Sequence, residues 1–202
     1  GIRSVASGFQ SIKAGDNKIV ISGGQESMSL APHAIFLREG KKLGDAEIID
    51  TMIKDGLWDA FHGYHMGITA ENVAEKFQVT REEQDKFALK SQEKAIKAQK
   101  ENKFKDEIIN VKIKSKKAEI DFNKDEHPRE GINLEALSRL KPVFKKDGTV
   151  TAGNASGIND GAAAVTLMSD TEAKKRDLNK LVSIKSWASC GVDPALMGTG
   201  PI

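Results

Sequence analysis

The first residues of the chain carry a helical pattern followed by a strand pattern. Apolar positions recur every three or four residues through 2–13 (IRSVASGFQSIK), and residues 15–17 (GDN) end that pattern, which predicts a helix and a turn. The β-branched run 18–22 (KIVIS), closed by two glycines, predicts a buried strand. A helix that leads through a tight turn into a buried strand is typical of α/β proteins.

The next hundred residues have a different pattern. Residues 27–66 are punctuated by glycine and show no clean period, which indicates loop with short helices. Segments 67–77 and 80–100 have helical spacing, and the second begins with the capping-box sequence TREE. Two short runs, 107–114 and 118–122, predict the strands of a hairpin.

Regular patterns return toward the end of the chain. A short helix is predicted over 134–140 and a charged helix over 170–177, with strands over 162–168 (AAAVTLM, read as buried) and 181–188 (LVSIKSWA). The α/β pattern at both ends therefore encloses a mixed α+β insertion over about residues 28–158.

Composition excludes several classes of partner. The chain has 31 Lys and Arg against 29 Asp and Glu, so no charge surplus favours nucleic acid or an anionic membrane. No apolar run reaches the roughly 18 residues of a membrane span, and no signal-peptide pattern is found. The single cysteine, Cys190, excludes an internal disulfide and agrees with a reducing compartment. We therefore expect a cytoplasmic protein that binds neither nucleic acid nor membrane.

The least ordinary segment is 151–165 (TAGNASGINDGAAAV), where three glycines stand within nine residues. No Gly-Lys-Ser/Thr follows, so it is not a P-loop, and it precedes a strand rather than opening a helix, unlike a dinucleotide fingerprint. Glycines admit unusual backbone angles and close approach of another group. The segment is either a structural corner or a loop that faces a ligand, and spacing alone leaves both interpretations open.

Other candidate sites have plainer interpretations. Cys190 follows an apolar run beside Trp187, which favours a small buried core residue over a nucleophile. His62 and His65 could form half of a metal site, but no acidic or sulfur ligand accompanies them at ligand spacing, so no metal is expected. The lysine clusters around 112–117 and 141–146 are typical of solvated faces, and contact with a phosphate-rich ligand is the alternative.

Several longer segments resemble the thiolases, and among them the short-chain acetoacetyl-CoA thiolases. They occur in family order with family spacing: GGQESMSLAPH (23–33), DGLWDAFHGYHMGITAEN (55–72), REEQDKFALKSQ (81–92), FKDEI (104–108), GTVTAGNASGINDGAAA (148–164) and GVDPALMGTGPI (191–202). The resemblance implies part of a layered αβαβα core with an inserted α+β loop domain. Its implied divisions are the N-terminal core half (1–27 and 159–178), the loop domain for lid and tetramer contacts (28–158), and the start of the C-terminal core half (179–202).

The resemblance also implies a coenzyme A site. By this resemblance the loop TAGNASG (151–157) would lie against the pantetheine arm of coenzyme A. Met66 would limit the acyl pocket, and Arg129 would lie beside the nucleotide. The residues carried over are Leu57, His65, Met66, Gln92, Arg129, Phe144, Ala152, Gly153, Ala155, Ser156 and Met197. Coenzyme A would be substrate and product, with no permanently bound cofactor and no metal.

No catalytic residue is expected within these 202 residues. The family's acylated cysteine lies in a Cys-Gly-Ser-Gly segment whose last glycine matches Gly1, so the nucleophile is expected upstream. The family's histidine and second cysteine are expected beyond Ile202. The implied reaction of the intact enzyme is the reversible condensation of two acetyl-CoA to acetoacetyl-CoA and CoA, in a homotetramer.

Two alternatives remain open at this point. The first is a long-chain 3-ketoacyl-CoA thiolase, against which the sequence His65-Met66-Gly67 favours the short-chain type. The second is a non-catalytic module for coenzyme A binding or assembly.

Overall fold

The computed structural model of the chain describes residues 1–114 and 118–202. Its α-helices are α1 (Ile2–Ala14), α2 (Met66–Lys76), α3 (Arg81–Lys100), α4 (Leu134–Ser138) and α5 (Asp170–Lys175). Its strands are β1 (Ile19–Ser27), β2 (His33–Ile35), β3 (Ile48–Asp50), β4 (Trp58–Asp59), β5 (Tyr64–His65), β6 (Val111–Lys114), β7 (Glu119–Phe122) and β8 (Asp160–Met168). A π-helical turn (Met52–Gly56) and 3-10 turns (Met28–Leu30 and Pro194–Thr199) complete the regular structure.

The chain forms two compact units. The first comprises residues 1–64, 157–193 and 202, and the second comprises residues 65–156 and 194–201. The loop-domain boundaries at 28 and 158, implied by the family resemblance, are not tested by this division and stay a prediction.

The first unit is built on the antiparallel pair of β1 and β8, in which Ile19 lies opposite Met168 and Ser27 opposite Asp160. Helix α1 is attached to β1 by two reciprocal serines. The Ser4 hydroxyl donates to the Gly23 carbonyl at 2.7 Å, and the Ser22 hydroxyl donates to the Ser4 carbonyl at 3.0 Å. Because Ser22 is buried, its hydroxyl needs such a partner.

The prediction that these two strands are buried is wrong for most of their residues. Helix α1 covers one face of a two-stranded sheet, and side chains on the other face remain open, as Ile21 does at 75% exposure. The buried apolar side chains of the described residues are few: Ala6, Ala74, Leu137, Val150 and Ala173.

The second unit contains α2, α3 and α4. The predicted capping box at the start of α3 is confirmed, because the Thr80 hydroxyl accepts from the Glu83 amide while the Glu83 carboxylate accepts from the Thr80 amide. Hydrogen bonds from the Thr80 amide and the Thr80 hydroxyl to the Glu83 carboxylate hold the pKa of Glu83 below its usual value. The predicted hairpin is confirmed as β6 and β7, with Val111 opposite Phe122; the residues that join them, 115–117, lie outside the described residues.

Three other predictions fail. Residues 181–188 form no strand, and Cys190 is exposed rather than buried. An apolar run becomes a strand only where another backbone supplies its hydrogen bonds, and these residues have no such partner among the described ones. The region 27–66 contains the short antiparallel pair β2–β3, which was predicted as loop; three residues are too few to show a period.

The described parts of the chain contain no helix that combines the length and the apolar character a bilayer crossing requires.

The capping box gives a direct test of the helical unit. Thr80→Ala should lower the free energy of unfolding by about 1 kcal/mol, because the Glu83 amide loses the Thr80 hydroxyl as its acceptor and the Glu83 carboxylate loses that hydroxyl as a donor. Thr80→Ser should be close to neutral because it keeps the hydroxyl. Urea unfolding followed by circular dichroism measures both, and equal loss in the two variants would contradict the capping role.

Candidate functional site

The glycine-rich loop, here residues 149–156, is held at its first residues by a buried carboxylate on α2. Glu71 is 4% exposed, and its two oxygens accept four hydrogen bonds from the start of the loop. The Thr149 amide lies 2.8 and 2.9 Å from the two oxygens, the Thr149 hydroxyl lies at 2.9 Å, and the Val150 amide lies at 2.8 Å. An ionised carboxylate accepts only, so it satisfies this set of converging donors.

A second buried carboxylate, on α3, holds the middle of the loop. Asp85 is 3% exposed and accepts from the Arg81 guanidinium at 2.7 Å and from the Asn154 amide group at 3.1 Å. The Asn154 side chain also donates to the Thr149 carbonyl at 3.0 Å and accepts from the Thr151 amide at 2.8 Å. Asp85 therefore reaches the loop through Asn154.

The same arginine fixes the end of α4 beneath the loop. Arg81 donates to the Leu137 carbonyl at 2.6 Å and to the Leu140 carbonyl at 3.1 Å. A Cβ placed on Gly153 would lie 2.5 Å from Leu137 Cδ2 and 2.7 Å from Leu140 Cδ1. Gly153 is thus small because the loop packs on these leucines, and for this glycine the structural interpretation holds.

The other side of the loop faces outward. Thr151 is completely buried, whereas Ala152, Ala155 and Ser156 are exposed. The amides of Asn154 and Ala155 donate to the Thr151 carbonyl at 3.2 and 3.0 Å, so a tight turn presents these small exposed residues. A surface of backbone, methyl groups and one hydroxyl suits a narrow chain with amide groups.

A histidine–phenylalanine stack lies at the start of α2. His65 caps the helix, since its Nδ1 accepts from the Gly67 amide at 2.9 Å. The neutral ring therefore carries its proton on Nε2, which is left as a donor. The ring stacks on Phe144 with centroids 4.6 Å apart, and a Cβ on Gly67 would collide with the Phe144 ring. Met66 opens the same helix, and its carbonyl accepts from Thr69 at 2.6 Å.

The remaining predicted site residues fall in other places. Gln92, on α3, accepts from the Arg129 amide at 2.9 Å, while the Arg129 side chain is exposed. Met197 lies in the 3-10 turns Pro194–Thr199, which α2 holds through a 3.1 Å hydrogen bond from Asn72 to the Ala195 carbonyl. Leu57 belongs to the first unit, at the end of the π-helical turn. The contacts thus bring His65 and Phe144 together, and separately Gln92 and Arg129.

The two histidines considered for a metal have different partners. His62 Nδ1 lies 2.7 Å from Asp59 Oδ2, and its ring stacks on Tyr64 at 5.4 Å. Burial alone would raise the pKa of Asp59, but hydrogen bonds from His62 and the Phe61 amide hold it below its usual value. Within residues 1–114 and 118–202, no group of three or more His, Cys, Asp or Glu side chains is placed to hold a metal ion.

Sequence reasoning missed the residues that hold the loop. Glu71 follows the buried Gly67 by four positions and precedes the buried Ala74 by three, so a charge on the buried helix face was a readable signal. Arg81 and Asp85 stand at i and i+4 on α3, which is the spacing of an ion pair. That these groups meet the glycine loop could be seen only in the folded chain.

Comparison with known proteins gives a consistent result. Residues 1–171 match the family described as Thiolase, N-terminal domain. Over all 202 residues the chain is 58% identical to the acetyl-CoA acetyltransferase of Rhizobium meliloti, covering 51% of that protein. It is 54% identical over 204 aligned residues to the cytosolic acetyl-CoA acetyltransferase of Rattus norvegicus, again covering 51%. The chain spans about half the length of these relatives.

Solved structures agree on the fold. The acetyl-CoA acetyltransferase of Syntrophomonas wolfei superposes with a TM-score of 0.93 at 45% identity, over 100% of this chain and 51% of that one. Human mitochondrial 3-ketoacyl-CoA thiolase superposes with a TM-score of 0.91 at 42% identity, over 98% and 50% of the two chains. The predicted α/β, thiolase-like fold class is confirmed.

The packing of Gly153 on α4 can be tested by adding one methyl group. Gly153→Ala should lower the free energy of unfolding by about 1–3 kcal/mol, since the fully buried Leu137 has little room to move. Gly161→Ala is the matched control, because nothing lies within 4 Å of its Cβ position. Urea unfolding compares the two, and equal stability would show that the leucines make way.

Proposed function

Because the chain belongs to the thiolase family, we propose that the full-length protein transfers acyl groups on coenzyme A thioesters. The reaction is the reversible condensation of two acetyl-CoA to acetoacetyl-CoA and free CoA. The observation that carries this proposal is the 58% identity, over every residue of the chain, to a protein named acetyl-CoA acetyltransferase.

In this proposal the exposed side of the glycine-rich loop receives the pantetheine arm. Ala152 and Ala155 present methyl groups and backbone, and the Ser156 hydroxyl hydrogen bonds to a pantetheine amide. The exposure of these three residues and the burial of Thr151 support this assignment. Gly153 contributes through packing, because its lack of a side chain lets the loop lie against Leu137.

The start of α2 would receive the acyl end. His65 Nε2–H is available as a donor, because Nδ1 is occupied by the Gly67 amide. Met66 and Phe144 supply apolar walls, and Phe144 is held in place by its stack on His65. Met197 adds to the apolar lining in this proposal, and the assignment of Leu57 to the coenzyme pocket stays a prediction.

The other end of the coenzyme carries phosphates. In this proposal the exposed Arg129 meets them, and the contact between the Arg129 amide and Gln92 supports it, because it uses the backbone and not the guanidinium. A guanidinium pairs with phosphate in a fork geometry.

The covalent chemistry belongs to residues outside this chain in our proposal. A cysteine thiolate takes the acyl group, a second cysteine removes the α-proton of acetyl-CoA, and a histidine assists. By family resemblance the first lies before Gly1 and the others follow Ile202. We also propose a homotetramer that assembles through the 28–158 domain, and a cytoplasmic location, for which the cytosolic rat relative offers support.

One alternative keeps a specific observation in its favour. A relative of known structure is named a 3-ketoacyl-CoA thiolase, at 42% identity, so a preference for longer acyl chains is the second candidate. The third, a non-catalytic module that binds coenzyme A, differs from both in showing no turnover.

A thiolysis assay tests the function. The full-length protein should consume acetoacetyl-CoA only when CoA is added, and Cys190→Ser should leave kcat unchanged because Cys190 is not the nucleophile. Loss of turnover in Cys190→Ser would overturn the assignment of the nucleophile. CoA binding without turnover would favour the non-catalytic module, and faster turnover of long chains would favour the second candidate.

Met66 sets the acyl-chain limit in this proposal. Met66→Ala should raise kcat/KM for longer 3-ketoacyl-CoA substrates relative to acetoacetyl-CoA, by about fourfold for each methylene admitted, since each is worth about 0.8 kcal/mol. Met168→Ala, a truncation of the same size in β8, is the control and should leave the profile unchanged. An unaltered profile in Met66→Ala would mean that another residue limits the pocket.

A further inference from the structure

We propose that Glu71 and Asp85 are positioning residues that hold the loop 149–156 in the shape that binds coenzyme A. This inference rests on the proposed function, and it assigns a role to two carboxylates that do not themselves contact the coenzyme. Both are nearly buried, on α2 and α3 respectively, and both act on the loop from behind.

Among the described residues, the hydrogen bonds that the Glu71 carboxylate accepts come from the loop. Its oxygens meet the amide and hydroxyl of Thr149 and the amide of Val150, which are uncharged donors from adjacent residues. Burying a carboxylate is expensive, and here the three loop donors offset that cost; an apolar side chain in its place would leave those donors without an acceptor. What the carboxylate supplies and an apolar side chain does not is a fixed direction for the loop backbone.

Asp85 acts further along the loop, at Asn154. It orients the Asn154 side chain, which spans the turn by donating to the Thr149 carbonyl and accepting from the Thr151 amide. Arg81 fixes Asp85 in return and also binds the α4 carbonyls under Gly153. The two carboxylates thus define both the entry and the middle of the turn.

The positions of the exposed loop residues depend on the shape of this turn. Ala152, Ala155 and Ser156 belong to the same turn, whose amides return to the Thr151 carbonyl. Without the carboxylates the turn would sample other shapes, and coenzyme A would have to order it on binding. Such ordering weakens binding rather than the chemical step, because it reduces the fraction of protein that is ready to bind.

The test is Glu71→Gln in the full-length protein, with Glu75→Gln as the matched control. Glutamine keeps the shape but replaces one acceptor by a donor, which then faces the donors of Thr149 or Val150. Glu75 lies one turn later on α2 and is exposed, and its carboxylate pairs with the Lys145 ammonium at 3.4 Å. We expect KM for CoA to rise about 5- to 30-fold in Glu71→Gln with kcat little changed, and neither to change in Glu75→Gln.

A double-mutant cycle separates positioning from general destabilisation. Ser156→Ala should raise KM for CoA several-fold in the wild-type background and much less in Glu71→Gln, because the hydroxyl is then no longer held in place. Additive effects, or a fall in kcat with unchanged KM, would overturn the positioning role and leave Glu71 a structural residue.

A milder pair of variants covers the case in which Glu71→Gln does not fold. Thr149→Val removes one hydroxyl donor from Glu71 and Thr149→Ser keeps it, so only Thr149→Val should raise KM. Equal KM values in these two variants would contradict the proposal. Calorimetric binding of CoA to the wild type is measured first: no binding there would reject the proposed function itself, whereas equal binding by the wild type and Glu71→Gln would reject only the positioning role.

Discussion

The burial of the Glu71 carboxylate beneath residues 149–150 is the contact on which the second unit depends. A carboxylate that is 4% exposed must have its oxygens occupied, and the loop amides occupy them. The requirement is mutual, because the amides of a buried turn need acceptors just as much. Helix α2 and the glycine-rich loop are therefore fixed to each other before any ligand is considered.

The small residues of the loop have two separate physical causes. Gly153 is small because Leu137 and Leu140 lie where its side chain would be. Ala152, Ala155 and Ser156 face outward, so packing does not explain their size, and the proposed coenzyme does. A loop that looks uniform in sequence thus has one packed side and one side available for binding.

In the first unit, an apolar strand sequence leads to a paired strand without leading to burial. Residues of β1 and β8 form the expected strands and pair over their whole length, but α1 covers a single face. Burial depends on which elements lie against the strand, whereas strand formation needs only one paired backbone. The same reasoning explains 181–188, where an apolar and β-branched run has no paired backbone among the described residues and forms no strand.

By itself the sequence determined the helices α1, α2 and α3, the capping box at Thr80 and the hairpin of β6 and β7, because these depend on local periodicity and on groups three or four residues apart. It also determined the family and the α/β class, through long motifs in a fixed order. Only the tertiary structure decided that Glu71 and Asp85 hold the loop, that Phe144 lies on His65, and that Cys190 is exposed. Those facts join residues tens of positions apart, or depend on which backbone lies beside a strand, and no local pattern encodes either.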